Sequence, residues 1–551
     1  MPFAQRGSGR KRTLARLRRR GKLRCGPAAW PACAGLVFCA VIVWALAGNL
    51  IHPHFGASRY RLDWSLAAGA AFLLVSAALC LLLDRPVPER LRHRGWKTAA
   101  GVLFWSALLL VQLRVAYAVR LPPDWDVYAI HESAAGLANG SMATVTPYFR
   151  INPNNLLLTL LLAGYDSGVR ALGVNDLAAA AAFLNGVILF GATVLTYLTA
   201  RMVGGPVAAA LTVLPATVFL GFSPWAGVLY SDTAGAFFTV LILFLLVASC
   251  RTRRMYGRVG LWILAGGIGA IGVGIKPTVA ICLIAAGVTA ACLLARRKDK
   301  AVLLTASAVV AGSFILGNRL IAAFLQRTPV VGFDPGSSPD AMNPGHFLKV
   351  GAQTAPGPYG PLYGAYNQSD YEQTLAIRGS SEKFHAGLDA YLDRVGAMGP
   401  GGYLQFLNDK LLWVTGDGSF FTWGEGRMTG RDFLSTAAAD RWLQDLFDNT
   451  GPHFQWMLSV WQGTWFAVLL LVAVPLLLRT PTLMRPEITA LRIALLGLLM
   501  FVLLFEGRAR FLYLYSPYFI ILAALSCQAV VQRLRKGKDR APAGAGAEVI
   551  E

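Results

Sequence analysis

Charged residues are scarce in this sequence, which excludes the largest class of proteins. Asp, Glu, Lys and Arg make up 15% of its 551 residues, whereas 55% are apolar, and soluble proteins carry about 25% charged residues. The apolar residues come in blocks of about 20, the length that a helix needs to cross a bilayer. We therefore exclude a soluble globular protein and predict an all-α polytopic membrane protein.

The cysteine and histidine patterns that mark disulfide scaffolds and metal sites are also missing. The eight cysteines show no CxxC spacing, and nearly all lie in or beside apolar blocks, as small buried residues do. The seven histidines are scattered, and no HExxH occurs. No metal ligand and no cofactor is predicted, although the sequence leaves a divalent-metal requirement open. No Walker A sequence occurs either, so ATP-driven transport is not indicated.

Positive charge is in excess, with 51 Lys and Arg against 29 Asp and Glu. Ten of the basic residues fall within residues 1–24, which contain no acid. No aromatic residues alternate with them, as they would in a nucleic-acid-binding segment. We therefore predict a basic cytoplasmic arm, residues 1–29, that lies beside anionic lipid.

Twelve apolar spans are predicted, and the basic connectors between them indicate their orientation. The spans lie at about 30–51, 64–83, 98–118, 177–200, 206–222, 232–250, 259–275, 277–295, 301–317, 456–478, 489–505 and 511–531. Lys and Arg concentrate in the connectors 84–97, 250–258, 296–300 and 532–540. Short basic loops stay in the cytoplasm, so we predict that both termini are cytoplasmic.

Two long loops then fall on the predicted outer side, at 119–176 within the core 30–317 and at 318–455. The apolar stretch Leu156–Leu172 is broken by polar residues and by glycine, so we predict an interfacial helix rather than a span. The loop 318–455 is the only segment long enough for a small aqueous domain. It is followed by the C-terminal spans within 456–535 and a disordered tail, 536–551.

Three aspartates at predicted outer boundaries are candidates for acid–base chemistry. Asp124 and Asp126 follow the third span, and Asp232 begins a later one. A carboxylate at the edge of a membrane is costly and is therefore informative about function. It could take a proton from an attacking hydroxyl. The alternative is that Asp124 and Asp232 are helix N-caps, which accounts for both of them.

Four basic residues on the same predicted side are candidates for holding a phosphate: Arg150, Lys276, Arg508 and Arg510. The two last arginines run against the positive-inside trend, which favours a bound anion. Lys276 precedes Pro277 and also fits a lysine that extends its charge to the surface from a turn.

Polar side chains near these residues are candidates for binding a sugar, whose hydroxyls need matched donors and acceptors. They are Tyr128, Tyr148, Asn152, Asn154, Asn155, Tyr230, Glu506 and Tyr513. The run Asn152-Pro153-Asn154-Asn155 is also typical of a plain turn.

The combination of these motifs is more specific than any one of them. An early DxxxYA (Asp124, Tyr128, Ala129), a Tyr-Phe pair before an interfacial helix, and Asp232 at a later span resemble the GT-C superfamily of membrane glycosyltransferases. Within it the chain is most similar to the branch of protein O-mannosyltransferases and lipid A aminoarabinose transferases. The resemblance covers residues 98–295.

The resemblance implies inverting transfer of a sugar from a polyprenyl-phosphate donor to a cell-envelope acceptor on the extracytoplasmic face. The acceptor could be a glycan, a lipid or a protein. Asp124 takes the role of general base by its motif position. Asp126 is the second candidate, because many relatives have Asp-Glu where this chain has Asp124-Trp125. Asp232 matches a second acidic position of the family, which orients the acceptor or holds the donor.

Three alternatives remain open at this stage. A transporter or flippase of lipid-linked sugars would also need many spans, but transporters concentrate polar groups near the midplane. A glycan polymerase or ligase predicts catalytic Arg and His in a late loop rather than an early Asp cluster. An inactive scaffold would fit departures such as Trp125.

Overall fold

The computed structural model describes residues 30–53, 59–84, 94–141, 147–294, 300–328, 331–357, 360–420, 432–474 and 485–538. The predicted basic arm, 1–29, and residues 539–551 of the predicted tail lie outside the described residues. Within the described stretches the chain is almost entirely helical. Its one sheet there is an antiparallel pair, β1 (Thr354–Pro356) and β2 (Pro361–Tyr363), with Ala355 opposite Leu362.

Twenty α-helices follow one another along the described chain. They are α1 (Trp30–Ile51), α2 (Leu62–Leu83), α3 (Arg94–Ala118), α4 (Trp125–Ala138), α5 (Pro147–Ile151), α6 (Leu156–Ala171), α7 (Leu177–Gly204), α8 (Pro206–Ala216), α9 (Ser231–Arg251), α10 (Met255–Ile275), α11 (Ala280–Leu294), α12 (Lys300–Arg327), α13 (Pro344–Gly351), α14 (Gln368–Ala376), α15 (Ser380–Thr415), α16 (Arg441–Phe447), α17 (Phe454–Ala473), α18 (Pro486–Leu504), α19 (Arg510–Tyr513) and α20 (Ser516–Lys538).

Eleven of the described helices are long and apolar enough to cross a membrane, which confirms the predicted polytopic all-α architecture. The twelfth predicted span, 206–222, corresponds to a shorter apolar helix, Pro206–Gly221. Pro215 lies inside it, and proline removes one backbone hydrogen bond and crowds the preceding turn. The chain continues as a π-helical turn, Thr217–Gly221, which is how a helix accommodates such a disruption.

Close approach of small residues brings the spans together. A Cβ on Gly69 of α2 would lie 2.8 Å from the carbonyl oxygen of Gly463 in α17, and one on Gly463 would lie 2.2 Å from that of Ser65. Small residues at helix contacts let backbones approach in membranes, where burial from water does not drive association. Trp461 and Trp465 of α17 are fully buried, so α17 lies at the centre of the bundle.

The predicted interfacial segment is a separate helix, α6, that packs against α4. Its buried side is mostly apolar and includes Leu158 and Leu162, together with Thr159 and Asp166. At 16 residues it is not among the helices long enough to span a membrane. Its position at the bilayer surface stays a prediction.

One end of the bundle is covered by the described parts of 331–453, which we call the cover segment. The helices α9, α17 and α20 begin at this end of the bundle, and α10 and α18 end there. We call this end of the bundle the loop end. The longest helix of the cover segment is α15, which breaks at Gly399, where φ is +65° before Pro400.

Lys410 of α15 joins the cover segment to the end of α18. Its buried ammonium donates to the carbonyl oxygens of Gly351 at 2.7 Å, Leu503 at 3.0 Å and Phe505 at 2.6 Å. Burial lowers the pKa of Lys410 to about 7, and the Glu506 carboxylate opposes that shift. The last carbonyls of a helix need outside donors, so Lys410 holds the chain that leads into the next loop.

Candidate functional site

A buried ion pair lies at the centre of the loop end. Both carboxylate oxygens of Asp232, the second residue of α9, lie 3.0 Å from Nζ of Lys276, which follows α10. Asp232 is fully buried and Lys276 is 8% exposed. Lys276 is extended, with φ −143° and ψ 106°, because the following Pro277 disfavours helical backbone at the preceding residue. The sequence analysis singled out both residues but did not predict their pairing.

Two aromatic rings enclose this pair and bring Arg510 beside it. Nζ of Lys276 lies 5.1 Å from the ring centre of Phe511 and 5.5 Å from that of Tyr230. The guanidinium carbon of Arg510 lies 5.8 Å from the Tyr230 ring and 5.9 Å from the Phe511 ring. Cations are attracted to the faces of aromatic rings at such distances. Two positive groups from separate segments therefore share one aromatic surface.

Tyr230 also connects this cluster to the early acidic motif. Its hydroxyl donates to Oδ2 of Asp126 at 3.1 Å across 104 residues of sequence. Asp126 lies in the first turn of α4 and is partly exposed. We call Asp126, Tyr230, Asp232, Lys276 and Arg510 the acid–base cluster.

Asp124 has a different local role. It is the N-cap of α4, with extended backbone, and its Oδ1 accepts from the backbone N–H of Trp125 at 2.9 Å. For this oxygen the structure therefore shows the alternative role, that of a helix N-cap. Trp125 has φ +46°, a left-handed conformation that is costly for a bulky residue and is concentrated at functional sites.

The late loop carries a second acid and base beside the cluster. Nε of Arg508 lies 3.6 Å from Oε1 of Glu506, and both side chains are largely buried. The backbone N–H of Glu506 donates to the carbonyl of Phe347 at 2.9 Å, and that of Gly507 donates to Gly364 at 2.9 Å. The cover segment thus fixes the backbone from which Arg508 and Arg510 extend.

Two tyrosines of the cover segment face the same acids. Burial and the nearby Asp126 carboxylate raise the pKa of Tyr371. Burial raises that of Tyr366 too, with the Tyr371, Glu372 and Asp126 charges adding to the shift and Arg508 opposing it. Both tyrosines therefore stay protonated at neutral pH and present hydroxyl groups that can donate.

Nothing in the sequence pattern marked Tyr366 and Tyr371, because they lie in a stretch without clear periodicity. Phe511 was missed as well, although its position next to Arg510 was a usable signal, since aromatic rings accompany cations at such sites.

Tyr513 and Tyr128, both predicted to bind substrate, lie in contrasting surroundings. Tyr513 is fully buried, and its ring packs against Trp225 at 6.1 Å and Phe420 at 5.8 Å. Burial raises its pKa well above the usual range. Tyr128 is 51% exposed on α4. Tyr128 is therefore presented to the surface, whereas Tyr513 lies in the aromatic core.

The remaining predicted residues form a cluster of their own around α5. Nδ2 of Asn155 donates to the Tyr148 hydroxyl at 2.5 Å, and Asn154 donates to Oδ1 of Asn155 at 3.1 Å. The backbone N–H of Asn152 donates to the Tyr148 carbonyl. Arg150 lies 5.9 Å from the ring centre of Phe333. These bonds are those of a turn.

Among the described residues, no group of three or more His, Cys, Asp or Glu side chains is placed to hold a metal ion. Two of the acids at the site lie in close pairs with bases, Asp232 with Lys276 and Glu506 with Arg508.

A family model described as a conserved hypothetical integral membrane protein matches residues 37–531. The chain belongs to this family. The match confirms the prediction of an integral membrane protein. No curated protein matches the chain by sequence.

Solved structures similar to this chain include an archaeal oligosaccharyltransferase, AglB from Archaeoglobus fulgidus, in complex with an inhibitory peptide and a dolichol-phosphate. It is 14% identical over 81% of this chain and 52% of its own, with a TM-score of 0.40. This chain therefore spans about half the length of AglB. ArnT from Cupriavidus metallidurans, bound to undecaprenyl phosphate, is 15% identical over 80% of this chain and 79% of its own, with a TM-score of 0.28.

Both neighbours are glycosyltransferases of the GT-C type, the class that the sequence resembles. At TM-scores below 0.5 the likeness by itself carries no argument about this chain, and no residue role follows from it.

Proposed function

We propose that this protein transfers a sugar from a polyprenyl-phosphate donor to a hydroxyl of a cell-envelope acceptor. The observation that carries the proposal is the hydrogen bond from Tyr230 to Asp126 beside the Asp232–Lys276 pair and Arg510. A carboxylate able to take a proton and a cation able to hold a phosphate then share one site. The sequence resemblance to GT-C glycosyltransferases supports the same chemistry.

In the proposed reaction the acceptor hydroxyl attacks the anomeric carbon of the sugar from the side opposite the phosphate. The bond between that carbon and the phosphate oxygen breaks, and the lipid phosphate leaves with the electron pair. Asp126 takes the proton from the acceptor hydroxyl, which is general-base catalysis. The new glycosidic bond has the inverted configuration. No nucleotide is consumed, because the donor already carries its leaving group.

We assign the base to Asp126, because its carboxylate accepts a hydrogen bond from Tyr230 of the acid–base cluster. Asp124 is the second candidate, and its Oδ1 is used by the cap of α4. Asp232 is charge-balanced by Lys276 and is fully buried. It therefore orients Lys276 rather than meeting the acceptor.

We assign the phosphate chiefly to Arg510. A guanidinium presents two parallel N–H donors that match phosphate oxygens, and fixed positive charge stabilises a departing phosphate most in a site shielded from water. Lys276 and Arg508 each lie near a carboxylate that offsets their charge. They are further candidates for holding the phosphate, and Arg150 belongs to the α5 cluster.

Arg510→Ala is expected to weaken binding of undecaprenyl phosphate by about tenfold or more, because a hydrogen bond to a charged group contributes about 1.5–3 kcal/mol. Binding is measured by native mass spectrometry on the detergent-purified protein. The matched control is Arg378→Ala, an exposed arginine of the cover segment, which should bind as wild type does. Equal affinity in both variants would remove Arg510 from the phosphate site.

The activity itself is tested by incubating the purified protein with a panel of polyprenyl-phosphate hexoses and pentoses and an envelope extract. The expected result is release of free polyprenyl phosphate together with sugar appearing on an acceptor. Movement of intact donor between leaflets without release would favour a flippase. Transfer from a diphosphate-linked oligosaccharide alone would favour a polymerase or ligase.

We also propose that the loop end faces the extracytoplasmic side. The support is the charge of the opposite end, where Arg251 ends α9 and Arg253 and Arg254 lie in the connector to α10. Short basic loops are retained in the cytoplasm.

This orientation predicts the labelling of single cysteines in a background whose native cysteines are replaced by alanine. Ser381→Cys, exposed on α15, should react with an impermeant thiol reagent in intact cells, and Arg253→Cys should react only after lysis. The neighbouring Gly379 is unsuitable, because its φ is +101° and a Cβ there would lie 2.1 Å from Glu382. The reverse pattern would invert the orientation.

A further inference from the structure

Arg492 of α18 is a buried cation without a partner among the described residues. Its side chain is 6% exposed, and its Nη2 is fully buried without a hydrogen bond. Arg492 forms no ion pair and no hydrogen bond with any of the described residues. It lies at the end of the bundle opposite the loop end, six residues after Pro486, where α18 begins. A charge removed from water without a partner is strongly unfavourable.

Two acids at this end of the bundle form ion pairs with other arginines. Glu487, in the first turn of α18, lies 3.7 Å from Arg251, and Asp84 lies 2.6 Å from Arg535. The sequences that precede the two helices packed here, 1–29 before α1 and 475–484 before α18, contain no Asp or Glu. Neither of these two sequences therefore contains a carboxylate side chain that could pair with Arg492.

Arg492 packs against α1 at Gly35, where the absence of a side chain leaves room for the guanidinium group. A Cβ on Gly35 would lie 3.2 Å from Nη1 and 3.5 Å from Cδ of Arg492, so the guanidinium rests against bare backbone. The next two residues of α1, Leu36 and Val37, are 46% and 53% exposed. A side chain on a helix tilts towards the N-terminus, so Arg492 extends towards the nearer membrane surface, where lipid headgroups lie.

We infer that Arg492 is a binding site for the phosphate of an anionic membrane lipid, seated between α1 and α18. An arginine fork binds phosphate through two N–H donors, and a lipid phosphate can be drawn towards an arginine below the headgroup level. The apolar exposed residues beside Gly35 suit the acyl chains of the same lipid. This site lies at the opposite end of the bundle from the acid–base cluster and does not depend on the proposed transfer reaction.

The test compares the wild type, Arg492→Met and Arg253→Gln by native mass spectrometry with phosphatidylglycerol and phosphatidylcholine. Arg253 is the matched control, because it is an exposed arginine at the same end. The wild type and Arg253→Gln should retain one phosphatidylglycerol. Arg492→Met should bind it at least about tenfold more weakly, as the loss of a charged hydrogen bond implies. Equal retention by Arg492→Met would overturn the inference.

A measurement on the wild type alone covers the case in which Arg492→Met fails to fold. Its thermal midpoint in detergent should rise with added phosphatidylglycerol and not with phosphatidylcholine, because a ligand of the native state stabilises it. No rise would overturn the inference, and an equal rise with millimolar inorganic phosphate would assign the site to a free anion instead. Asp126→Asn should keep the phosphatidylglycerol response, which separates failure of this site from failure of the proposed function.

Discussion

Asp126→Asn should abolish sugar transfer while leaving the affinity for undecaprenyl phosphate within a few-fold of wild type. The amide keeps the size of the side chain and can still accept from Tyr230, but it cannot take a proton. Loss of a general base costs about 10²–10⁴ in rate. The measurement is release of polyprenyl phosphate under single-turnover conditions, with binding followed in parallel by native mass spectrometry.

The matched control for this change is Asp124→Asn. Asparagine caps helices about as well as aspartate, so we expect α4 to be retained and transfer to stay within a few-fold. If Asp124→Asn loses transfer and Asp126→Asn keeps it, the base is Asp124, as the sequence resemblance alone implies. If both variants transfer at the wild-type rate, the early acidic motif takes no part and the transferase proposal fails.

Lys276→Met should be among the most destabilising single changes in the protein. It leaves Asp232 fully buried without its cation, and breaking one side of a buried ion pair costs about 3–5 kcal/mol. We expect a lower thermal midpoint in detergent, measured by tryptophan fluorescence, and a lower yield of folded protein.

Two further variants show whether the unpaired Asp232 carboxylate causes the destabilisation. The double variant Asp232→Asn with Lys276→Met should recover much of the loss, because no buried charge then remains. Arg61→Gln breaks an exposed ion pair with Asp63 at the same end, and such pairs contribute about 0–1 kcal/mol. If Lys276→Met and Arg61→Gln have the same thermal midpoint, the Asp232–Lys276 pair does not stabilise the protein as proposed.

The ion pair also limits what Lys276 can do in catalysis. From the sequence, Lys276 and Asp232 are independent candidates, one for the phosphate and one for the acceptor. Their contact at 3.0 Å makes them a single, nearly neutral unit. As such a unit the pair attracts an anion less strongly than an isolated lysine would.

The sequence by itself determined most of the spans, the separation of α6 from them as a shorter helix, and the cap at Asp124. These features depend on residues close together in the chain: an apolar block of about 20 residues is a span wherever it stands, and Asp124 after Pro123 caps the helix that it begins. The cap predicted at Asp232 was wrong, because Tyr230 is the N-cap of that helix. The shortness of the helix at 206–221 was also present in the sequence, since Pro215 disrupts its last turn.

Only the tertiary structure decided which candidates meet. The bond from Tyr230 to Asp126 joins residues 104 apart, and the Lys410 contacts with Leu503 and Phe505 join residues more than 90 apart. Sequence patterns indicate which face of a helix is apolar. They do not indicate which helix packs on that face or which helix ends a long loop contacts. The partners of buried charged groups depend on that packing. For this reason only the tertiary structure distinguished the roles of Asp126, Lys276 and Arg492.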